Sequence, residues 1–154
     1  RQMCIRDSPF AGSAGARRPH GLPLFHYPYA EWRESLAAMA RTADPDPHLG
    51  QALEFINPAD GGPVMPTIAA HVRLLPKGFC TRPRQATDAM VLVVAEGSGR
   101  AIVGEQDFAL APRDLLVVPA WASLTLEATA DLVLFGYSDA AAQQKLGLWR
   151  EARH

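Results

Sequence analysis

Residues 74 to 121, LLPKGFCTRPRQATDAMVLVVAEGSGRAIVGEQDFALAPRDLLVVPAW, set the limits on what this chain can fold into. Short apolar runs alternate there with turn signals: Pro76–Lys77–Gly78, Glu96–Gly97–Ser98–Gly99 and Ala111–Pro112–Arg113–Asp114. Tight turns at such close intervals leave no room for long helices and favour an antiparallel sandwich or barrel. A barrel of this kind holds a metal through inward histidines, yet no histidine lies between Val72 and Arg153.

The flanking sequence extends the pattern. Leu53 and Phe55 alternate with Glu54, which predicts a short strand beginning at Gln51, and residues 57–63 (NPADGGP) form a dense turn cluster. Further strands are expected over 67–75, 89–95, 100–104, 108–110, 115–118, 123–127 and 131–137. Residues 89–95 (AMVLVVA) are apolar on both faces and predict a central strand covered from both sides. The thirteen prolines and twelve glycines fall mostly between these runs.

Both ends differ. Trp32, Leu36, Met39 and Ala40 recur at helical spacing, with Pro28 before them and DPDP (44–47) after, predicting a helix over 29–42. Phe25, Tyr27 and Tyr29 are expected to cover the barrel edge. At the other end Ser138 reads as an N-cap for a short helix over 140–146, interrupted or ended at Gly147 and anchored by Leu146, Leu148 and Trp149. Residues 1–22 show no periodicity and no apolar signal-peptide core. They are read as disordered or artefactual, since MCIRDS resembles a translated sequencing-adapter remnant; on that reading Cys4 is not native. The domain division is therefore 1–22, a helical arm over 23–50, a barrel over 51–138 and a C-terminal helix and tail over 139–154.

Composition removes several classes of function. With 154 residues, 48% hydrophobic and 20% charged, the chain suits one globular domain. A net charge of -1 offers no basic surface for nucleic acid and no polybasic membrane patch, and no apolar run approaches the ~20 residues of a membrane span. Two cysteines, Cys4 and Cys80, exclude a disulfide framework and favour a cytoplasmic setting.

Several stretches together carry a family resemblance: FHYPY, NPADGGPVMPTIAA, LLPKGF, TRPRQATDA, VVAEGSGRA, APRDLLVVPAW and LVLFGYSDAAAQQKLGLWREA. Over about residues 25–153 the chain resembles the C-terminal half of the gentisate 1,2-dioxygenase family, bicupin enzymes that cleave the rings of hydroxylated aromatic carboxylates. The resemblance implies an all-β cupin, a double-stranded β-helix, with an N-terminal helical arm and a short C-terminal helix. It implies a parent enzyme using Fe(II) and O2, the iron held by three histidines in an N-terminal cupin. Neutral imidazoles suit Fe(II), and open coordination positions let substrate and O2 meet on one metal. The chain would then be a gene fragment, inactive alone, with no iron of its own. Its partners would be that N-terminal cupin of the same polypeptide and further copies in a homo-oligomer such as a tetramer.

Aligning Gly78 and Gly97 with the two motif glycines puts the family's ligand positions at Arg84, Ala86, Met90 and Leu124. Arginine stays protonated, and the other three offer no suitable donor. No metal ligand and no catalytic residue is therefore expected. Arg82, Arg84, Asp88, Met90 and Trp121 are the candidates for a relic pocket. In one reading an arginine grips a carboxylate there; in the other an internal Arg–Asp pair fills the metal position and Trp121 fills core volume. His71, on the same strand face as Arg73, reads as a satisfied or surface histidine, and Cys80 has no neighbouring base. A rival function remains open: a stand-alone metal-free cupin that binds a small aromatic carboxylate as a sensor or carrier.

Overall fold

The computed structural model describes residues 26–58 and 60–154. The expectations for residues 1–22, with Cys4 and His20, and for Phe25 lie outside them.

Ten strands and two helices follow in the order α1 (Tyr29–Thr42), β1 (Gln51–Phe55), β2 (Ala69–Leu75), β3 (Arg84–Ala86), β4 (Met90–Glu96), β5 (Gly99–Val103), β6 (Gln106–Leu110), β7 (Leu115–Val118), β8 (Leu124–Ala128), β9 (Leu132–Ser138), α2 (Ala140–Lys145) and β10 (Glu151–Arg153). The strands form two five-stranded sheets, ordered β1-β2-β9-β4-β7 and β10-β3-β8-β5-β6, and every pairing is antiparallel. This is the double-stranded β-helix the resemblance implies.

Period-two alternation decides which side chains fill the barrel. Met90, Leu92 and Val94 of β4 point inward, where they join Ala101 and Val103 of β5, Leu124 and Leu126 of β8 and Leu132 and Leu134 of β9. Each fully buried leucine there is worth roughly 1.5–3 kcal/mol relative to exposure. Register fixes who meets whom: Leu92 lies opposite Leu116 on one side and Gly136 on the other. The β4–β5 turn requires glycine. Gly97 has φ +79°, and a Cβ there would lie 1.9 Å from the Asp131 carbonyl oxygen.

The outer face of the first sheet carries a second core. Leu53, Phe55, Ala70, Val72, Leu74 and Val133 are covered by Trp32 and Leu36 of α1. Tyr27 stacks on Phe55 with ring centroids 4.9 Å apart, and its hydroxyl donates to the Ile56 carbonyl at 2.6 Å. Tyr29 meets Trp32 edge-on. The aromatic cluster thus staples the helix to β1 and β2.

Four expectations need correction. The 139–154 segment is not merely a helix and tail, because β10 pairs with β3 and completes the second sheet. Ser138 ends β9, so Asp139 is the N-cap of α2. The strand over 89–95 is not covered from both sides: α1 packs on β1, β2 and Val133 of β9 and meets β4 at the Arg33–Glu96 ion pair, leaving Val91 and Val93 half-buried and neighbouring Tyr137 exposed. Trp121 does not fill core volume; it is 48% exposed, in a turn at φ +62°.

Candidate functional site

One end of the barrel interior is polar. Ala52 and Glu54 of β1 face inward opposite Arg73 and His71 of β2. Met90 of β4 in the same sheet, Arg84 of β3 in the other and Asp88 of the turn between them close the space, and Trp149 and Ala140 roof it, leaving a cavity of about 260 Å³. Register places the strand residues, while the β3–β4 turn, α2 and the segment after it supply Asp88, Ala140 and Trp149; on β2, His71 and Arg73 interrupt an otherwise apolar run.

Three of the five sequence candidates converge here. Arg84, Asp88 and Met90 line the cavity, whereas Arg82 and Trp121 are exposed elsewhere. The internal pairing differs from expectation. Arg84 does not bond Asp88; its Nε donates to Glu151 Oε1 at 2.5 Å, and Glu151 also accepts from Arg153. Asp88 instead accepts from the Trp149 indole at 2.8 Å. The reason is β10, which carries Glu151 alongside β3, and α2, which swings Trp149 over the β3–β4 turn.

The electrostatics follow from burial. Burial, helped by the Arg73 and Arg84 charges, holds the His71 imidazole well below its usual range, so the ring is neutral at pH 7. His71 is not a satisfied histidine: its Nε2 is buried without a hydrogen-bond partner. Burial and the Arg84 charge push the Arg73 guanidinium down to about 9, with Asp88 acting in the opposite sense. Arg73 therefore remains a cation at neutral pH. Its Nη2 reaches only the Met90 thioether at 3.6 Å, a weak acceptor, and its Nε and Nη1 have no partner. Burial raises the Glu54 carboxyl. Glu151 feels burial, which raises its carboxyl, but the Arg84 and Arg153 hydrogen bonds outweigh this and leave it lowered.

Sequence reasoning passed over Arg73, Glu151 and Trp149. For Arg73 a signal existed: a charge between Val72 and Leu74 in a strand buried on both faces. Glu151 and Trp149 carried none, because β10 has only three residues.

The donor set does not fit iron. Arg84, Ala86, Met90 and Leu124, the residues the resemblance assigns to the ligand positions, are all buried. Among the described residues no group of three or more His, Cys, Asp or Glu is placed to hold a metal ion. No helix among them is long and apolar enough to cross a membrane.

No protein-family model matches the chain. The gentisate 1,2 dioxygenase 1 of Aquipseudomonas alcaligenes is 47% identical over 132 residues, which is 86% of this chain and 38% of that protein. The chain is homologous to a part of the gentisate 1,2-dioxygenases. A 5-aminosalicylate 1,2-dioxygenase from Comamonas sp. is 33% identical over 135 residues, 86% of this chain and 36% of the relative. Among solved structures, the salicylate 1,2-dioxygenase of Pseudaminobacter salicylatoxidans superimposes with a TM-score of 0.76 at 27% identity, covering 82% of this chain and 38% of that one. The homology to ring-cleaving dioxygenases and the cupin jelly roll agree with the resemblance carried by the sequence motifs. The chain spans less than two-fifths of the length of the relatives it matches.

Proposed function

We propose that this chain is the C-terminal, metal-free cupin of a gentisate-type ring-cleaving dioxygenase, and that its work is structural. The parent would open the ring of a hydroxylated aromatic carboxylate with Fe(II) and O2, with the iron held by histidines of an N-terminal barrel. The observation that carries the reading is the content of the ligand positions. They hold a paired arginine, an alanine, a methionine and a leucine, all buried and none with a donor suited to iron.

A structural role also needs a surface to act through, and the barrel has one. On the outer face of β4, β7 and β9, Val91 pairs with Val117 and Tyr137, and Val93 pairs with Leu115 and Phe135. Leu115 is 69% exposed and Val117 62%. Helix α1 covers the β1–β2 side of this sheet and leaves the apolar strip bare. A second barrel of the same polypeptide is the occupant the strip suits, and the matched relative, of which this chain covers 38%, has the length to supply one. Contacts between copies in a cytoplasmic homo-oligomer belong to the same proposal.

The reading frame preceding this segment in its source DNA tests the assignment. It should encode a second barrel with two histidines one residue apart and a third further on. A frame that begins at this barrel would favour the stand-alone carboxylate-binding reading instead.

A further inference from the structure

Three side-chain nitrogens among the described residues are buried without a hydrogen-bond partner: His71 Nε2, Arg73 Nε and Arg73 Nη1. All three belong to β2, on the inward face that lines the 260 Å³ cavity. A guanidinium left in this state is costly, since buried charges are ordinarily paired and buried donors bonded. The fold does not require it. Arg73 is flanked by Val72, Leu74 and Leu75, and an unbranched apolar side chain would fill the same volume.

The neighbouring charged groups make their hydrogen bonds elsewhere. Arg84 is matched by Glu151, and Asp88 accepts the Trp149 indole hydrogen. Glu54 stands across from His71 in register and makes no bond to Arg73. The His71 ring is accommodated because Gly136 has no side chain; a Cβ there would lie 2.4 Å from Nε2. Arg73, with two unbonded nitrogens, therefore faces a space whose remaining walls include Leu49, Ala52, Ala69, Ala140 and the Trp149 ring.

We propose that this cavity is a binding site for a small organic monocarboxylate. The carboxylate is held by the free Arg73 donors, and the apolar body lies against Ala69, Ala140 and Trp149. A planar guanidinium matches a carboxylate's two oxygens. Two unbonded nitrogens on one guanidinium suit the two oxygens of one carboxylate, whereas a phosphate would bring further charge against Glu54 and Asp88. The volume lies just below the roughly 300 Å³ at which drug-sized pockets begin, which suits a single-ring acid. The inference stands whether or not the chain belongs to a ring-cleaving enzyme.

Calorimetric titration of benzoate, acetate and inorganic phosphate into the chain tests it, with Arg73→Met and the surface control Arg82→Ala alongside. Benzoate should bind at one site, acetate more weakly and phosphate not at all. Arg82→Ala should bind as wild type, and Arg73→Met about tenfold or more weakly. Arg73→Met should keep or raise the thermal midpoint, because it removes an unpaired buried charge. If it lowers the midpoint, Ala52→Leu decides: the narrowed cavity should weaken benzoate more than acetate, and unchanged benzoate binding overturns the proposal. Equal benzoate binding by wild type and Arg73→Met overturns it, as does absence of carboxylate binding or a response to phosphate alone.

Discussion

Glu151 and His71 show how single residues in this barrel tie stability to pH in separate windows. The Glu151 carboxyl is lowered in the fold from an ordinary value of 4.5. Its contribution is present above that value and fades as pH falls through the folded one. Glu151→Gln should therefore flatten the acid limb of a plot of thermal midpoint against pH below about 4.5. His71 is lowered from an ordinary 6.5 and stays neutral when buried. The unfolded chain takes up the proton first, so stability is full above 6.5 and declines as pH falls below it. His71→Gln should remove that decline and leave the Glu151 limb in place. Arg84→Ala leaves half-buried Glu151 with Arg153 as its remaining partner and should cost about 1–2 kcal/mol by chemical denaturation. The sequence marked Arg84, Asp88 and Met90 as pocket residues because motif spacing places β3 and the start of β4. It could not mark Arg84's partner, since 67 residues separate Arg84 from Glu151 and no local pattern links them.

At the scale of elements, legibility tracked periodicity. The helix over 29–42 and most strands follow from apolar spacing and from glycine or proline at the turns, and the structure places them within a residue or two. Strands β3 and β10, of three residues each, are too short for alternation to register, so the closure of the second sheet was invisible. Residues 89–95 misled in the opposite direction. Their apolar outer face is real, but α1 docks on β1 and β2 and leaves it uncovered, which pattern alone does not reveal. Two substitutions probe the elements. Leu36→Ala, at a fully buried position between α1 and the sheet, should cost about 3 kcal/mol. Gly97→Ala should cost about 2 kcal/mol or more, because the turn demands positive φ and the Asp131 carbonyl occupies the space of a Cβ. Urea unfolding of each variant gives both values.

For the whole molecule, the barrel retains the cupin frame while its interior divides into an apolar end and a polar end built around Arg73. Neither end offers iron a ligand set. On the proposed reading, the exposed strip on β4, β7 and β9 is the sheet face through which the barrel would meet the rest of a longer protein. Leu115→Lys with Val117→Lys, in the parent polypeptide, should leave the barrel folded by circular dichroism and loosen its assembly by sedimentation, since both side chains already face outward. The central claim is that this barrel does not bind the iron. Anaerobic loading of the chain with Fe(II), followed by removal of free metal and assay of iron per chain and of gentisate ring opening in air, tests it most directly. The barrel should retain no stoichiometric iron and yield no ring-opened product; one tightly bound iron per chain with turnover would overturn that reading.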